Sequence, residues 1–238
     1  MKNLAGLVML TALLAGCAQM GEAGRSMPAF EPKQLGKSDI DRVADIHRRE
    51  IFSSLRILTE KLYRRNPKEW KKSGYPTLEA TLEHLLDPRT GWRVPEIGQK
   101  QGTDAILLAL STDYQGDRVA AFIAGTGGML NIAFGEKTEF FMFDSLDPQK
   151  LYNSARNLEI AAWKLANARD AEGNLLLLSN EIANPQQPAN LSFEREFGKM
   201  IGNLDLLSTM IADRGSRNIV HVTHSLATAV FLPVLAIK

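Results

Sequence analysis

The sequence predicts a mainly α-helical fold, a single-domain helical bundle with room for one or two short strands. Three observations carry this prediction. Apolar residues recur at steps of three and four over several long stretches, as they do along the buried face of a helix. Residues that favour helix starts precede these stretches, and short loops rich in proline and glycine separate them. Long helical periods joined by short connections are typical of helical bundles.

The chain begins with the three parts of an export signal. Lys2 supplies one positive charge, residues 4–14 form an apolar run, and Leu14-Ala15-Gly16-Cys17 closes that run. The run is too short to span a membrane as a helix, which takes about 20 residues. Residues 1–16 are therefore predicted to be a signal peptide.

The tetrapeptide Leu14-Ala15-Gly16-Cys17 resembles the lipobox of bacterial lipoproteins. The resemblance implies that signal peptidase II cleaves before Cys17 and that acyl chains on this cysteine hold the protein to a membrane. In that family an aspartate after the cysteine favours the inner membrane, so Ala18 implies the outer membrane, with the domain on the periplasmic side. Cys17 is the only cysteine. After acylation no thiol remains for a disulfide, a cysteine-ligated zinc or an attached haem.

Composition places limits on the part of the chain that remains after cleavage. It has 222 residues, 238 less 16, which is enough for one well-buried core. Without Lys2 it carries 27 basic and 27 acidic residues, a balance that does not suit a nucleic-acid binder. Residues 17–37 are small and polar and are predicted to be a lipidated cysteine with a flexible tether. Residues 38–238 are predicted to be the helical domain.

The first helix has the clearest pattern. Its apolar stripe consists of Ile40, Val43, His47, Ile51, Leu55, Leu58 and Leu62. Ser38 or Asp39 can cap its start, and Asn66-Pro67 ends it, because proline disfavours helix in the residue before it. Since His47 lies on the stripe, we expect a buried, hydrogen-bonded ring. Pro67 can open a short further turn through Trp70.

Four more helices follow in order. Thr77 starts one that ends at Asp87-Pro88, and Thr103 and Asp104 cap another through Leu110. The other starts are predicted at Asp117, for a glycine-rich helix over Val119–Phe134, and at Asp147-Pro148, with a stop at Gly173. Short apolar runs at 139–143 and 175–178 fit either a strand or a helix.

The last helix is predicted from Ser192, as its cap, to Arg214-Gly215. Gly198 and Gly202 within it would permit close approach by a neighbouring helix. Residues 218–237 carry no charge over 20 positions, which formally reaches the length of a membrane span. His221, Pro233 and several hydroxyl side chains make this stretch polar for a span, so we expect a buried terminal element.

One hypothesis on chemistry concerns His221 and His224. On a helix, residues three apart share a face, so both rings could hold one metal ion; on a strand they would point to opposite sides. No acidic spacing of a metalloprotease accompanies them, and the other reading is two histidines at a helix end. No G-x-S-x-G elbow or Walker A loop is present either. We assign no catalytic residue, no metal ligand and no cofactor.

The loop over Asp87–Arg93 places Trp92 between two arginines, Arg89 and Arg93. Tryptophan and arginine are enriched at binding hot spots, so we assign these three residues to partner binding. The alternative is that Trp92 folds back onto the core and the arginines pair locally.

The stretch from 47 to 72 is locally basic, with nine basic residues against three acidic ones. The basic residues are Arg48, Arg49, Arg56, Lys61, Arg64, Arg65, Lys68, Lys71 and Lys72. This surface fits either contact with anionic lipid head groups or the solvated back of an amphipathic helix.

From these observations we expect a membrane-anchored periplasmic lipoprotein, a non-enzymatic accessory or assembly factor for envelope proteins. Its expected partners are the membrane, through Cys17, and an envelope protein, with no nucleic acid. The alternatives are a metal-dependent envelope hydrolase using His221 and His224, and a carrier of an apolar ligand lined by Val119–Phe134.

Overall fold

This computed structural model describes residues 36–142, 144–180, 190–223 and 225–234, and seven α-helices account for more than half of these residues. The helices are α1 (Asp39–Arg65), α2 (Pro67–Trp70), α3 (Leu78–Leu85), α4 (Gly102–Ala109), α5 (Arg118–Ala133), α6 (Pro148–Asn167) and α7 (Ser192–Arg214). Three 3₁₀ turns join them, at Lys71–Ser73, Pro88–Thr90 and Pro95–Ile97. The predicted helical bundle is confirmed. Within the ranges given, β pairing is limited to one bridge between Arg169 and Leu175.

Helix α7 packs against both α1 and α6, and α4 packs against α5, which also touches α1 and α6. The helices share one core. Its largest fully buried side chains include Tyr63, Phe122, Phe134, Phe140 and Phe197. Aromatic side chains of this size each bury roughly 150–250 Å², so this cluster supplies much of the apolar burial that holds the helices together.

The ends of α1 follow its sequence pattern. The Asp41 carboxylate accepts a hydrogen bond from the Ser38 backbone N–H (2.7 Å), which satisfies a donor at the helix start. Along the predicted stripe, the middle and C-terminal residues from Ile51 to Leu62 are fully buried. His47 is half-buried, and its Nδ1 lies 2.7 Å from the Asn203 side-chain oxygen on α7.

Helix α5 is the central helix of the domain, since its first ten residues, 118–127, are all buried. Asp117 caps it by accepting from the Ala120 N–H (2.9 Å). Gly125 lets α4 approach closely. A Cβ there would lie 2.6 Å from the Gly102 carbonyl oxygen and 2.8 Å from the Ile106 nitrogen.

Three helix boundaries differ from the predictions. Thr103 and Asp104 do not cap α4 but lie inside it, because the helix already begins at Gly102, with Gln101 in the N-cap position. Helix α6 ends at Asn167, not at Gly173, because Ala168 is already extended. A turn follows in which the Asp170 carboxylate accepts from the Asn174 N–H (2.8 Å). Ser192 is the first residue of α7 and not its cap, and the Asn190 side chain accepts from the Ser192 N–H instead (3.1 Å).

The predicted role of Gly198 and Gly202 is wrong. A Cβ built at either glycine meets nothing within 4 Å, so neither residue allows a close helix contact. The short apolar runs at 139–143 and 175–178 form neither helix nor strand in their described residues, and residue 143 lies outside these.

The C-terminal segment is not helical over its described residues, 218–223 and 225–234. The expected burial applies to Ala229 and Val234, whereas Val220 and Val230 are 69% and 81% exposed. Among the residues described, no helix is both long and apolar enough to cross a membrane.

Candidate functional site

Trp92 lies in the loop that follows α3, and its indole is buried against the helices. Its ring stacks on Phe52 of α1, with centroids 5.5 Å apart and an interplanar angle of 26°. Gly127 of α5 makes room for it, because a Cβ there would lie 2.2 Å from the indole Cε3. Trp92 has a left-handed φ of 63°, an uncommon conformation for a residue other than glycine. Trp92 therefore belongs to the core, as the alternative interpretation of this loop proposed.

The two arginines beside Trp92 are exposed. Arg89 donates to the Asp87 carboxylate through Nη2 (2.6 Å) and Nε (2.9 Å), although its side chain is 90% exposed. These bonds lower the pKa of Asp87 to about 2. Arg93 is exposed one residue after Trp92.

Two neighbouring cavities, of about 220 and 200 Å³, share Trp92, Asn131 and Glu136 in their walls. We refer to them together as the Trp92 cleft. The first extends from Arg89 and Arg93 to the start of α4. The second extends along α1. The charged residues that line the cleft are Arg48, Arg56, Arg89, Arg93 and Glu136.

The guanidinium of Arg48 is held in place by the aromatic ring of Phe52, over which it lies. Its guanidinium carbon lies 4.4 Å from the centroid of Phe52, whose ring in turn stacks on Trp92. Partial burial lowers the pKa of Arg48, and the nearby Asp45 opposes this shift. The buried Nε of Arg48 makes no hydrogen bond within the described part of the chain. Arg48 thus contributes to the cleft a guanidinium that is seated on an aromatic ring, and its buried Nε remains unsatisfied among the described residues.

Four guanidinium groups and one carboxylate give the cleft a cationic character. A guanidinium binds carboxylate or phosphate oxygens through two parallel N–H donors, which suits it to anionic groups. The other lining groups are amides, hydroxyls and apolar surface, such as Gln101, Thr90 and Ile132. This arrangement is suited to binding an anionic group.

Only part of the cleft is recognisable in the sequence. Arg89, Trp92 and Arg93 are adjacent in the chain, and the composition of their loop drew attention to them. Arg48 and Arg56 belong to the basic stretch that was noted separately, with no sign that they face the same cavity. Asn131 and Glu136 were missed, because no local pattern marks an isolated polar residue at the end of a buried helix.

Helix α5 lines the cleft with part of one face, at Ala124, Gly128, Asn131 and Ile132. Most of its remaining residues are in the core. Val119–Phe134 was expected to line a pocket for an apolar ligand. Other side chains of the core cover most of this helix, which leaves little of its apolar surface for a ligand.

The basic stretch is only partly available to an external ligand. Lys61 donates to the Ser192 carbonyl (3.2 Å) and lies over the Phe193 ring. Lys72 pairs with the buried carboxylate of Glu69 (2.8 Å). Internal contacts therefore use part of the charge counted in the sequence.

His221 is exposed, and its ring meets Tyr152 edge-on with centroids 5.1 Å apart. His224 lies outside the described residues, as do Cys17, the signal peptide and most of the tether. Among the residues that are described, no group of three or more histidine, cysteine, aspartate or glutamate side chains could hold a metal ion.

Comparison of this chain with family models, with curated proteins and with solved structures finds no match in any of the three.

Proposed function

We propose that this protein is a lipoprotein of the bacterial envelope, anchored in the outer membrane through acyl chains on Cys17 and facing the periplasm. It is a non-enzymatic accessory or assembly factor that binds an acidic segment of another envelope protein in the Trp92 cleft. The observation that carries this proposal is the charge of the cleft, where the described lining residues include four arginines and one carboxylate, Glu136, with Asp87 paired to Arg89 next to it.

The geometry favours a protein segment with carboxylate side chains. Each cavity measures about 200 Å³, which admits individual side chains. Arg48 is already fixed on Phe52, so a ligand gains a charged partner with little loss of side-chain freedom. Arg89 is paired with Asp87, and a carboxylate on the partner would exchange with it. Arginine beside apolar surface is typical of the residues that dominate protein interfaces.

The anchor determines which proteins the cleft meets. Two or more acyl chains on a cysteine give stable attachment to a bilayer. Restricting both partners to one membrane surface raises their effective concentration, so a small charged cleft is sufficient for specific association. A first test is labelling with a palmitate analogue in living cells, in which we expect label on the full-length protein and none on Cys17→Ser.

The docking proposal is tested by cross-linking from inside the cleft. A photo-reactive side chain replaces Thr90, which lines the cavity, in the full-length protein in living cells. The matched control carries the same group at Glu172, an exposed position in the turn after α6. We expect one anchor-dependent adduct from position 90, none from position 172, and loss of the adduct in Arg89→Ala/Arg93→Ala. The linked peptide should come from a segment rich in aspartate and glutamate.

Two results would overturn this proposal. An adduct that persists at full yield in Arg89→Ala/Arg93→Ala would show that the arginines do not hold the partner. Cross-links to anionic phospholipid in place of protein would show that the cleft lies against the membrane surface.

A further inference from the structure

The C-terminal segment lies beside the first half of α6 and bonds to it at every second residue, 220 and 222, which is the alternation of an extended chain. The Val220 N–H donates to the Gln149 side-chain oxygen (2.7 Å), and the Gln149 side-chain nitrogen donates back to the Val220 carbonyl (3.1 Å). The Val222 N–H donates to the Tyr152 hydroxyl oxygen (3.0 Å). The N–H and carbonyl groups of residue 220 and the N–H of residue 222 therefore face α6.

The backbone groups of the residues between them face the other way. In an extended chain the N–H and C=O of one residue point to one side, and those of its neighbours point to the opposite side. The backbone groups of Ile219, His221 and Thr223 are thus directed away from α6. They make no backbone hydrogen bond to another described residue, and His221 and Thr223 are exposed. With respect to the described part of the chain, these outward groups form an unpaired backbone edge, which α6 holds in place.

The composition of this edge favours strand pairing. Ile219, Val220, Val222 and Thr223 are β-branched, and no charged residue occurs from 218 to 237. Natural proteins usually protect an exposed edge with lysine, proline or an inward charge. The nearest proline on the C-terminal side is Pro233, well past this edge.

We propose that residues 219–223 pair in antiparallel orientation with the same residues of a second copy of this protein, centred on His221. In this register residue 221 faces 221 of the other copy, and 219 faces 223. All three pairs are hydrogen-bonded pairs, so the outward groups of both edges are satisfied by about six main-chain hydrogen bonds. Val220 and Val222, which are 69% and 37% exposed, become cross-strand neighbours and cover each other.

A second copy is the occupant that fits these observations. A twofold interface requires a self-complementary surface, and this register uses every outward backbone group of both copies. Because the segment carries no charge, two identical edges meet without electrostatic repulsion. The bonds to Gln149 and Tyr152 order the strand beforehand, which lowers the entropic cost of pairing.

The test uses the full-length protein in its membrane, with single cysteines introduced along the edge. Opposed residues of a hydrogen-bonded pair have Cα atoms about 5.5 Å apart, a spacing that a disulfide spans. Mild oxidation should link His221→Cys into dimers at least tenfold more efficiently than Ile219→Cys or Thr223→Cys. In this register Ile219 faces Thr223 of the other protomer, so two cysteines at position 219, or two at position 223, lie far apart. The unsubstituted protein gives the background from Cys17.

Two further variants separate backbone pairing from loss of the histidine side chain. His221→Pro removes the outward N–H and keeps the backbone groups of residues 220 and 222 that bond to Gln149 and Tyr152, because proline suits an extended position. It also removes the ring contact with Tyr152, as His221→Ala does, so the two variants differ in the backbone N–H. His221→Ala keeps that N–H. In detergent we expect a dimer for the unsubstituted protein and for His221→Ala, and at least tenfold weaker association for His221→Pro. Equal linkage at 219 and 221, a disulfide to a different protein, or a monomeric unsubstituted protein would overturn the proposal.

Discussion

Gly127 and Gly128 are adjacent in α5 and differ sharply in the space around them. A Cβ at 127 would overlap the Trp92 indole at 2.2 Å, whereas a Cβ at 128 would lie 3.6 Å from the Trp92 Cβ, an ordinary contact. We predict that Gly127→Ala destabilises the protein by about 1–3 kcal/mol through overpacking. Gly128→Ala should stabilise it by about 0.5–1 kcal/mol, because alanine favours helix. Urea unfolding measures both, and equal effects would contradict this account of Trp92.

Asp117 is a buried carboxyl group that caps α5 and accepts from the Tyr63 hydroxyl (2.8 Å). Burial raises its pKa to about 6, against an ordinary value near 3.8. The folded state therefore binds a proton that the unfolded chain has already lost between these values. The resulting stabilisation is complete below about pH 4 and is lost as the pH rises through about 6.

The matched variant for this effect is Asp117→Asn, which keeps an acceptor for Ala120 and does not titrate. The free energy of unfolding of the unsubstituted protein, relative to that of Asp117→Asn, should fall by about 1–1.5 kcal/mol between pH 5 and pH 7.5. Chemical unfolding of both proteins at several pH values measures this difference. A difference that is independent of pH would show that the buried carboxyl does not titrate in this range.

At the residue scale, the sequence predicted the part of the cleft that is contiguous. Arg89 and Arg93 flank Trp92 in one loop, so composition alone marked them. Arg48 is more than 40 positions earlier and Glu136 more than 40 positions later. Only the packing of α1 and α5 around Trp92 brings these side chains to the same cavity. The spacing of residues within one helix or loop does not show which residues of other elements line the same cavity.

At the scale of elements, the positions of capping residues were a better guide to where helices start than the positions of glycines were to close contacts between helices. Ser38, Thr77, Asp117 and Asp147 each precede a helix, as expected from side-chain and backbone bonds that act locally. Gly198 and Gly202 have the spacing of a close helix contact, yet they lie next to the buried stripe of α7 and not on it.

Because these two glycines face open space, replacing them should help the helix. Gly198→Ala and Gly202→Ala are each expected to stabilise the protein by about 0.5–1 kcal/mol, since alanine has a higher helix propensity and meets no neighbour. Thermal unfolding of the two variants checks this. Destabilisation by either one would mean that this face of α7 is covered in the protein.

The C-terminal segment is attached to α6 by side chains that bond to its backbone. Asn157 accepts from the Leu232 N–H (2.6 Å) and donates to the Leu232 carbonyl (2.8 Å), and Asn153 donates to the Pro233 carbonyl (2.8 Å). Such bonds leave no periodicity in the segment itself. The lack of charged residues in this segment was therefore enough to predict some burial. It was not enough to predict that the segment lies along α6.

Asn157 is the side chain whose loss should release this segment. Asn157→Ala leaves the Leu232 N–H and carbonyl without their partner, and we expect amide exchange at Leu232 to rise at least tenfold. The matched control is Asn167→Ala on the same helix, because the side chain of Asn167 donates within α6, to the Trp163 carbonyl, and makes no bond to the described part of the C-terminal segment. Hydrogen exchange with peptide-level mass analysis measures both variants. Similar exchange in the two would show that Asn157 does not hold the segment.

At the scale of the whole molecule, the fold brings several like charges together on the surface of a nearly neutral chain. Basic and acidic residues number 28 and 27 over the full sequence, yet four arginines and one glutamate line the Trp92 cleft. The apolar periodicity was enough to predict a helical bundle. The charge distribution depends on which helix faces meet, which a single sequence does not reveal.

The most direct test of the docking proposal compares two charge changes of opposite sign inside the cleft. Arg93→Ala removes a cation, and Glu136→Gln removes the one carboxylate among the described residues that line the cavities. The yield of the adduct from a photo-reactive group at position 90 is measured in living cells for both variants. We predict that the yield falls about tenfold in Arg93→Ala and rises in Glu136→Gln, because an acidic partner is attracted by one residue and repelled by the other. Yields that are unchanged in both variants, or that move in the same direction, would contradict an acidic ligand in the Trp92 cleft.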